Sequence, residues 1–189
     1  MEIKNFQYND NLQSPRLTTR FFTQDDVPLW TPFFEDVECT EFHPNENNLT
    51  PEQRSREWIN VTIARYRDNR LGMQALFDKQ TGEFIGQCGL IVQDPNGKQE
   101  IEIGYHLLRR HWGKGYAIEA AQMFRDYGFE HDFADSLVSI IHPLNVNSKK
   151  VAERNGMHLS ETSVFFKGKH YDLFRITRKE WEQLKNKQA

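Results

Sequence analysis

A short basic segment with two glycines, residues 109–115, has the composition of an anion-binding turn. It reads Arg109-Arg110-His111-Trp112-Gly113-Lys114-Gly115 and lies between a strand pattern and a helix pattern. The N-terminus of a helix leaves backbone N–H groups without partners and carries the positive end of the helix dipole. Glycine lets a backbone approach a ligand closely. On spacing alone the segment is either a plain turn or a cradle for an anion such as phosphate.

The elements on either side of this turn would position it. Before the turn, Ile101, Ile103, Tyr105 and Leu107 alternate with Glu102, Gly104 and His106. This alternation predicts a strand with two different faces. After the turn, Ala117, Ala121, Phe124 and Gly128 recur at helical spacing. They predict a helix with one buried side.

Two common nucleotide cradles do not fit this turn. A P-loop needs a lysine and then a hydroxyl residue after its last glycine, whereas Gly115 is followed by Tyr116. The dinucleotide fingerprint needs a third glycine where this chain has Ile118. A plain turn or another kind of anion cradle remains.

The motif Arg110-x-x-Gly113-x-Gly115, between a Glu-Ile-Gly-Tyr strand and an Ala-rich helix, resembles the Gln/Arg-x-x-Gly-x-Gly/Ala motif of the GNAT superfamily of acyl-CoA N-acyltransferases. The longer run Trp-Gly-Lys-Gly-Tyr-Ala-x-Glu-Ala is similar to the RimJ/RimL-type branch, and the similarity extends from about Arg16 to Trp181. The resemblance implies acetyl-CoA as co-substrate, with its pyrophosphate on the amides of the turn. The implied coenzyme-binding residues are Tyr105, His106, Leu107, Leu108, Arg109, Arg110, Trp112, Gly113, Lys114, Gly115, Tyr116, Asn145 and Ser148.

The resemblance also implies a fold. This is the α/β GNAT fold, with a mixed, mostly antiparallel sheet of about seven strands, flanked by helices and splayed between the fourth and fifth strands. The sequence pattern agrees, because three strands joined by tight turns precede the cradle and a buried parallel strand, residues 136–141, follows the helix. We expect a single domain over residues 1–189, in which residues 1–14 are either a loose arm or an added strand.

Acyl transfer from a thioester to an amine needs a base for the amine, a donor for the carbonyl oxygen and an acid for the leaving thiolate. Glu102 is the first candidate for the base, since burial beneath a covered sheet would raise its pKa. The alternative is a strand-face acid paired with lysine or arginine. His106 and His142 are weaker candidates, because single histidines are often structural. No nucleophilic triad is recognisable, so direct attack by the amine is expected.

Ser148 is implied by the resemblance as the acid that returns a proton to the coenzyme thiolate. It lies in a short predicted helix with Asn145 as N-cap and Gly156 at the C-terminal end. Asn145 would therefore bind the pantetheine arm or cap its own helix. No tyrosine occurs between Ser148 and Gly156, which argues against the tyrosine acid found elsewhere in the superfamily.

The acceptor side is expected in a long connection from Pro32 to Thr50. It contains Phe33, Phe34, Glu38 and Glu41, which we assign as candidate substrate-binding residues whose acids would attract a cationic amine. A solvated loop with a few anchoring aromatic residues is the alternative. After it, Thr50-Pro-Glu-Gln53 predicts a capping box at the start of a helix.

Composition limits the class of protein. The 189 residues carry 24 basic and 27 acidic side chains, a formal net charge of −3, which argues against a general nucleic-acid binder. Two cysteines, Cys39 and Cys88, have no metal-ligand spacing; a disulfide between them is possible, but a reduced cytoplasmic protein is the simpler interpretation. No stretch approaches a membrane span, and the N-terminus has no signal-peptide core.

These observations predict a cytoplasmic N-acetyltransferase without a metal ion, which moves the acetyl group of acetyl-CoA to a primary amine. The acceptor stays open between a protein N-terminus and a small amine such as a polyamine, an amino acid or an antibiotic. A non-catalytic acyl-CoA-binding module is the alternative from another class. No assembly motif is present, so the oligomeric state is not predicted.

Overall fold

A computed structural model describes residues 8–43 and 47–188 of the chain. Seven strands form one sheet in the order β1-β2-β3-β4-β5-β7-β6. The strands are β1 (Leu17–Arg20), β2 (Met73–Asp78), β3 (Phe84–Gln93), β4 (Glu100–Leu107), β5 (Ser136–Ile141), β6 (His158–Phe166) and β7 (Lys169–Thr177). The helices are α1 (Val27–Glu35), α2 (Val37–Thr40), α3 (Pro51–Arg67), α4 (Tyr116–Glu130), α5 (Val146–Arg154) and α6 (Arg178–Gln188).

Among the described strands, β4 and β5 form the one parallel pairing. β1 to β4 are antiparallel neighbours, and α4 carries the chain over to β5. The ladder between β4 and β5 contains a single Cα pair, Glu102–Val138. Beyond that pair β4 continues for five residues against β3 only, as far as Leu107. The predicted mixed, mostly antiparallel sheet with a splay between the fourth and fifth strands is confirmed.

Two hydrophobic cores cover the two faces of the sheet. On one face α4 buries Ala120, Ala121 and Phe124 against Ile103 and Leu137. The other face is covered by α1 and α3, which contribute Trp30, Phe33 and Ile59 to a second cluster with Met73 and Phe84. Full burial of one such side chain stabilises the fold by about 1.5–3 kcal/mol. Helix packing on both faces fixes where β4 and β5 separate.

The prediction of a long connection from Pro32 to Thr50 was wrong in its first part. α1 runs through Pro32 to Glu35, and α2 follows at once. Val27, Trp30, Phe33 and Phe34 lie on one side of α1 and are buried, so their packing outweighs the tendency of proline to end a helix. Residues 44–46 lie outside the described residues.

Residues 8–14 are bound to the sheet. The Tyr8 hydroxyl donates to the Gly72 carbonyl oxygen (2.7 Å) and accepts from the Leu90 amide (3.2 Å). The Gln74 side chain donates to the Asn9 carbonyl oxygen (2.9 Å), and Gln13 forms a β-bridge with Thr18. A loose arm therefore does not describe residues 8–14. Residues 1–7 lie outside the part of the chain that the structure describes.

The predicted helix ends are confirmed. Thr50 and Gln53 form a reciprocal capping box at the start of α3. The Asn145 side chain accepts from the Ser148 amide (3.0 Å) as N-cap of α5, and Gly156 follows the helix with a φ of 85°. Cys39 and Cys88 are both buried and free, so the possible disulfide does not form.

Candidate active site

A cavity of about 600 Å³ opens where β4 and β5 separate. Its walls come from α3, the middle of β4, the end of β5, the start of α5 and the β6–β7 hairpin. It brings together six of the predicted site residues: Phe34, Glu102, Tyr105, His106, Asn145 and Ser148. Residues from both sides of the splay therefore meet in one cavity.

Glu102 lies on the cavity face of β4, as the alternation of the strand predicts. Its two carboxylate oxygens accept hydrogen bonds from Gln93 Nε2 (2.9 Å) and, at 3.4 Å, from the Ile140 amide. Burial raises the pKa of Glu102, although Gln93 and the charges of Lys167 and Arg65 partly oppose the shift. It forms no salt bridge with a described residue, so the alternative of a simple surface ion pair is not what the structure shows. A carboxylate with a raised pKa beside a splayed strand is suited to accept a proton from an amine.

His106 is held in one protonation form by its neighbours. Trp58 Nε1 donates to Gln87 Oε1 (3.1 Å), which leaves the Gln87 amide nitrogen to donate to His106 Nδ1 (3.1 Å). The remaining ring nitrogen of a neutral His106 must then carry the proton. Burial, with His43 and Lys167 nearby, lowers the pKa of His106 well below its usual range. This histidine is a poor general base and a fixed hydrogen-bond donor.

The first turn of α5 faces the cavity from the other side of the splay. Ser148 and Asn145 both line the cavity. Asn145 Oδ1 is occupied by the cap to the Ser148 amide, so of the two predicted roles the structure shows the cap. The Tyr105 hydroxyl donates to the Ser148 carbonyl oxygen (2.9 Å) and joins β4 to this turn. His142 stacks on Phe42 with ring centroids 4.8 Å apart.

The predicted anion cradle has the geometry of an open turn. Gly113 and Gly115 have φ angles of 72° and 82°, which side chains rarely adopt. A Cβ on Gly113 would meet no atom within 4 Å. Gly115 is the N-cap of α4 and no side chain caps the helix there, so the first amides of α4 are available to a ligand.

The other predicted coenzyme residues frame this turn. Arg16 Nη1 donates to the Lys114 carbonyl oxygen (2.9 Å), and the Tyr116 hydroxyl donates to Asp78 (2.8 Å). Trp112 Nε1 donates to the Leu107 carbonyl oxygen (2.9 Å). This acceptor, on one of the predicted coenzyme-binding residues, is therefore already occupied. The Leu108 amide donates to the Ile85 carbonyl oxygen (3.1 Å). The two arginines are in surface ion pairs: Arg109 with Asp36 and Glu38 (2.7 Å each), and Arg110 with Glu83 (3.1 Å).

The predicted acceptor wall is only partly brought to the cavity. Phe34 lines it, whereas Phe33 is in the core, stacked on Trp30. Glu38 faces Arg109, and Glu41 is exposed and is not among the cavity residues. The acids expected to attract an amine thus lie elsewhere on the surface.

Sequence reasoning missed the contribution of α3 and of the β6–β7 hairpin. From α3 the cavity receives Arg54, Trp58 and Arg65, and from the hairpin Lys167 and Lys169. Arg54, Trp58, Val61, Thr62 and Arg65 recur at helical spacing, so they form one face of α3. This polar and aromatic stripe, beside the buried Ile59, was the sequence signal that could have indicated the contribution of α3 to the cavity.

The fold and the site together define an acyl-CoA-dependent acyltransferase of the acetyltransferase type. Residues 16–158 match the family model of the acetyltransferase (GNAT) domain. The chain belongs to the GNAT acetyltransferase family. It is 37% identical over 139 residues to the uncharacterized protein YkkB of Bacillus subtilis, covering 74% of this chain and 79% of that protein.

Solved structures share the fold. An acetyltransferase from Agrobacterium tumefaciens is 27% identical, with a TM-score of 0.74 over 90% of this chain and 96% of its own. RimL, a ribosomal L7/L12 α-N-protein acetyltransferase in complex with coenzyme A, is 18% identical with a TM-score of 0.69, over 87% of this chain and 95% of its own. The similarity to RimL shows a shared fold.

The described residues contain neither a membrane-spanning helix nor a cluster of metal ligands. None of their helices is long and apolar enough to cross a membrane. Within the same residues, no three histidine, cysteine or acidic side chains are grouped as metal ligands.

Proposed function

We propose that the protein transfers an acetyl group from acetyl-CoA to a primary amine by direct attack, with Glu102 as base and Ser148 as acid. The observation that carries the proposal is that Glu102 and Ser148 line one cavity at the point where β4 and β5 separate. A base on one side of the gap and a hydroxyl on the other are the groups that this reaction needs.

Each residue has a distinct task in the proposal. Glu102 accepts the proton of the incoming ammonium group and leaves a neutral amine. Backbone N–H groups on the unpaired edge of β4 stabilise the negative charge on the carbonyl oxygen. The Ser148 hydroxyl donates a proton to the departing thiolate, and the proton that the attacking nitrogen loses as the amide forms restores the hydroxyl. Holding both reactants in the gap supplies much of the remaining rate enhancement.

The coenzyme supplies the activated acetyl group, and residues of this chain fit it. The amides from Gly113 to Tyr116 would hold the pyrophosphate, since the turn is open and no side chain fills it. The backbone of Tyr105 would face the pantetheine arm, as β5 does not pair with that part of β4. Asn145 and Ser148 lie at the end of this path.

Two acceptor classes have specific support. The fold shared with RimL, which acts on a ribosomal protein, favours a protein N-terminus. The aromatic walls of the cavity, which include Phe34, Trp58 and Tyr171, favour a small amine.

The test is release of thiol from acetyl-CoA across a panel of N-terminal peptides, amino acids, polyamines and aminated antibiotics. We expect at least one amine to raise thiol release above background hydrolysis, and Glu102→Gln to reduce it. Glu57→Gln, an exposed acid at the same cavity, is the control and should keep its rate. Coenzyme binding without thiol release from any amine would instead indicate a non-catalytic acyl-CoA-binding module.

A further inference from the structure

Arg65 is a cation inside the cavity that has no anion of its own. Its side chain lines the cavity from the C-terminal part of α3. Nη1 is buried and has no hydrogen-bond partner, and Arg65 forms no salt bridge with a described residue. Burial lowers the pKa of Arg65, with Glu102 acting in the opposite direction. A buried guanidinium donor without a partner is costly, which indicates a site kept for an incoming acceptor.

The other charged residues of the cavity are also mostly positive. Arg54, Lys167 and Lys169 add three cations to the lining, whereas its acids are Glu57 and Glu102. Arg54 is already engaged, since it donates to the His43 carbonyl oxygen and lies over the Phe34 ring at 4.6 Å. It lies eleven residues before Arg65, roughly 16 Å along the helix. Of the cations that line the cavity in the described residues, Arg65 has a buried donor without a hydrogen-bond partner.

The coenzyme does not account for Arg65. Its phosphates are assigned to the turn at residues 113–116, and none of those residues lines the cavity. Glu102 interacts electrostatically with both Arg65 and Lys167, so these cations lie beside the proposed base. An amine bound at Glu102 would thus place its nearest substituents among positive charges.

We propose that the acceptor is a small amine whose own molecule carries an anionic group, a carboxylate or a phosphate, and that Arg65 binds this group while Glu102 receives the amine proton. Arginine suits the role because its planar fork binds either anion through two parallel hydrogen bonds. The inference rests on the proposed function and narrows its acceptor. Polyamines, which bring only positive charge, are disfavoured by the same cavity.

The test compares related acceptors with and without an anionic group. Glycine is paired with glycinamide, and 2-aminoethyl phosphate with ethanolamine, to distinguish carboxylate from phosphate. We expect the wild-type protein to have a lower KM for the anionic member of at least one pair. Arg65→Gln should raise that KM by about tenfold or more and leave KM for the neutral member unchanged. Arg67→Gln, two residues on with a side chain that is 77% exposed, is the matched control.

The melting temperature distinguishes a binding role of Arg65 from a structural role. Because Arg65 has no partner to lose, Arg65→Gln should not lower the melting temperature, and Arg65→Lys should retain part of the preference for anions. Equal KM values within each pair, or an equal effect of Arg65→Gln on both members, would overturn the inference while leaving acetyl transfer intact. If no amine is turned over, calorimetry of the same pairs with the coenzyme A complex decides: tighter binding of the anionic member supports the inference, and equal or absent binding overturns it.

Discussion

Arg16 and Glu119 form a 2.6 Å ion pair that connects the residue before β1 to the first turn of α4. Glu119 also accepts from the Arg16 amide and the Ser14 hydroxyl (2.7 Å each). Arg16 in turn donates to the Lys114 carbonyl oxygen. The open turn at residues 113–115 is therefore held from outside, by the start of the sheet.

Removal of this connection should weaken coenzyme binding. We expect Glu119→Ala to lower affinity for coenzyme A by roughly threefold to tenfold, since a partly exposed, charge-assisted contact contributes about 1 kcal/mol. Isothermal titration calorimetry measures the change. Glu130 lies on α4, like Glu119, and forms an exposed ion pair with Lys185 of α6. Glu130→Ala removes this pair and should leave the affinity for coenzyme A unchanged. Equal affinities of the two variants would mean that the turn does not need this support.

The turn itself is tested by a charge placed in it. Gly113→Asp should abolish measurable binding of acetyl-CoA and of coenzyme A, because its carboxylate would project into the space assigned to the pyrophosphate. Gly82→Asp is the matched control: Gly82 has a φ of 70°, close to the 72° of Gly113, and equally open surroundings. Both variants carry the same backbone strain, so only Gly113→Asp should lose binding in calorimetry. If Gly113→Asp keeps its affinity for coenzyme A, the assignment of this turn as the pyrophosphate site is wrong.

The raised pKa of Glu102 sets the expected pH dependence. Below that pKa the carboxyl is protonated and cannot accept the amine proton; above it the carboxylate is available, so kcat/KM should rise with pH through this range. Glu102→Gln should flatten the rise and lower the rate by about 10²–10⁴-fold, with coenzyme affinity unchanged. A pH–rate profile of both proteins, with acetyl-CoA saturating and the acceptor well below its KM, checks this. An unchanged profile would assign the base elsewhere.

The close approach of β3 to β2 predicts a strong effect on stability. A Cβ on Gly89 would lie 2.5 Å from the Gly72 carbonyl oxygen and 2.6 Å from Met73 Cα, both backbone atoms. Gly89→Ala should therefore lower the free energy of unfolding by about 1–3 kcal/mol or more. In Gly104→Ala the added methyl meets the flexible end of Met73 at 3.2 Å and should cost less. Urea denaturation compares the two, and equal costs would contradict the steric argument.

Much of this architecture is predictable because it is encoded locally. The alternation through Glu102, the stripe through Phe124 and the cap at Asn145 depend on neighbours in sequence, and all three are found. Gly89 marks a close approach of the β3 and β2 backbones, which a glycine inside a strand pattern can indicate. Motif, strand and helix together were enough to indicate the fold.

The remaining features depend on contacts between distant parts of the chain. Pro32 lies inside α1 because Trp30 and Phe33 pack in the second core. Glu38 meets Arg109, 71 residues away, instead of lining the cavity. Arg65 enters the site because α3 forms part of the wall of the cavity that β4 also lines. Such pairings have no signal in local periodicity.

The single Cα pair between β4 and β5 divides the sheet into two leaves that backbone hydrogen bonds barely join at this point. Packing by α4 and side-chain contacts such as Ser139 to the Ile103 carbonyl oxygen (2.9 Å) hold the leaves in place. A ligand that hydrogen-bonds along the gap would supply the missing rungs and act as an eighth, non-peptide strand. The protein would then be a complete sheet only when loaded, with both leaves exchanging their amide hydrogens more slowly.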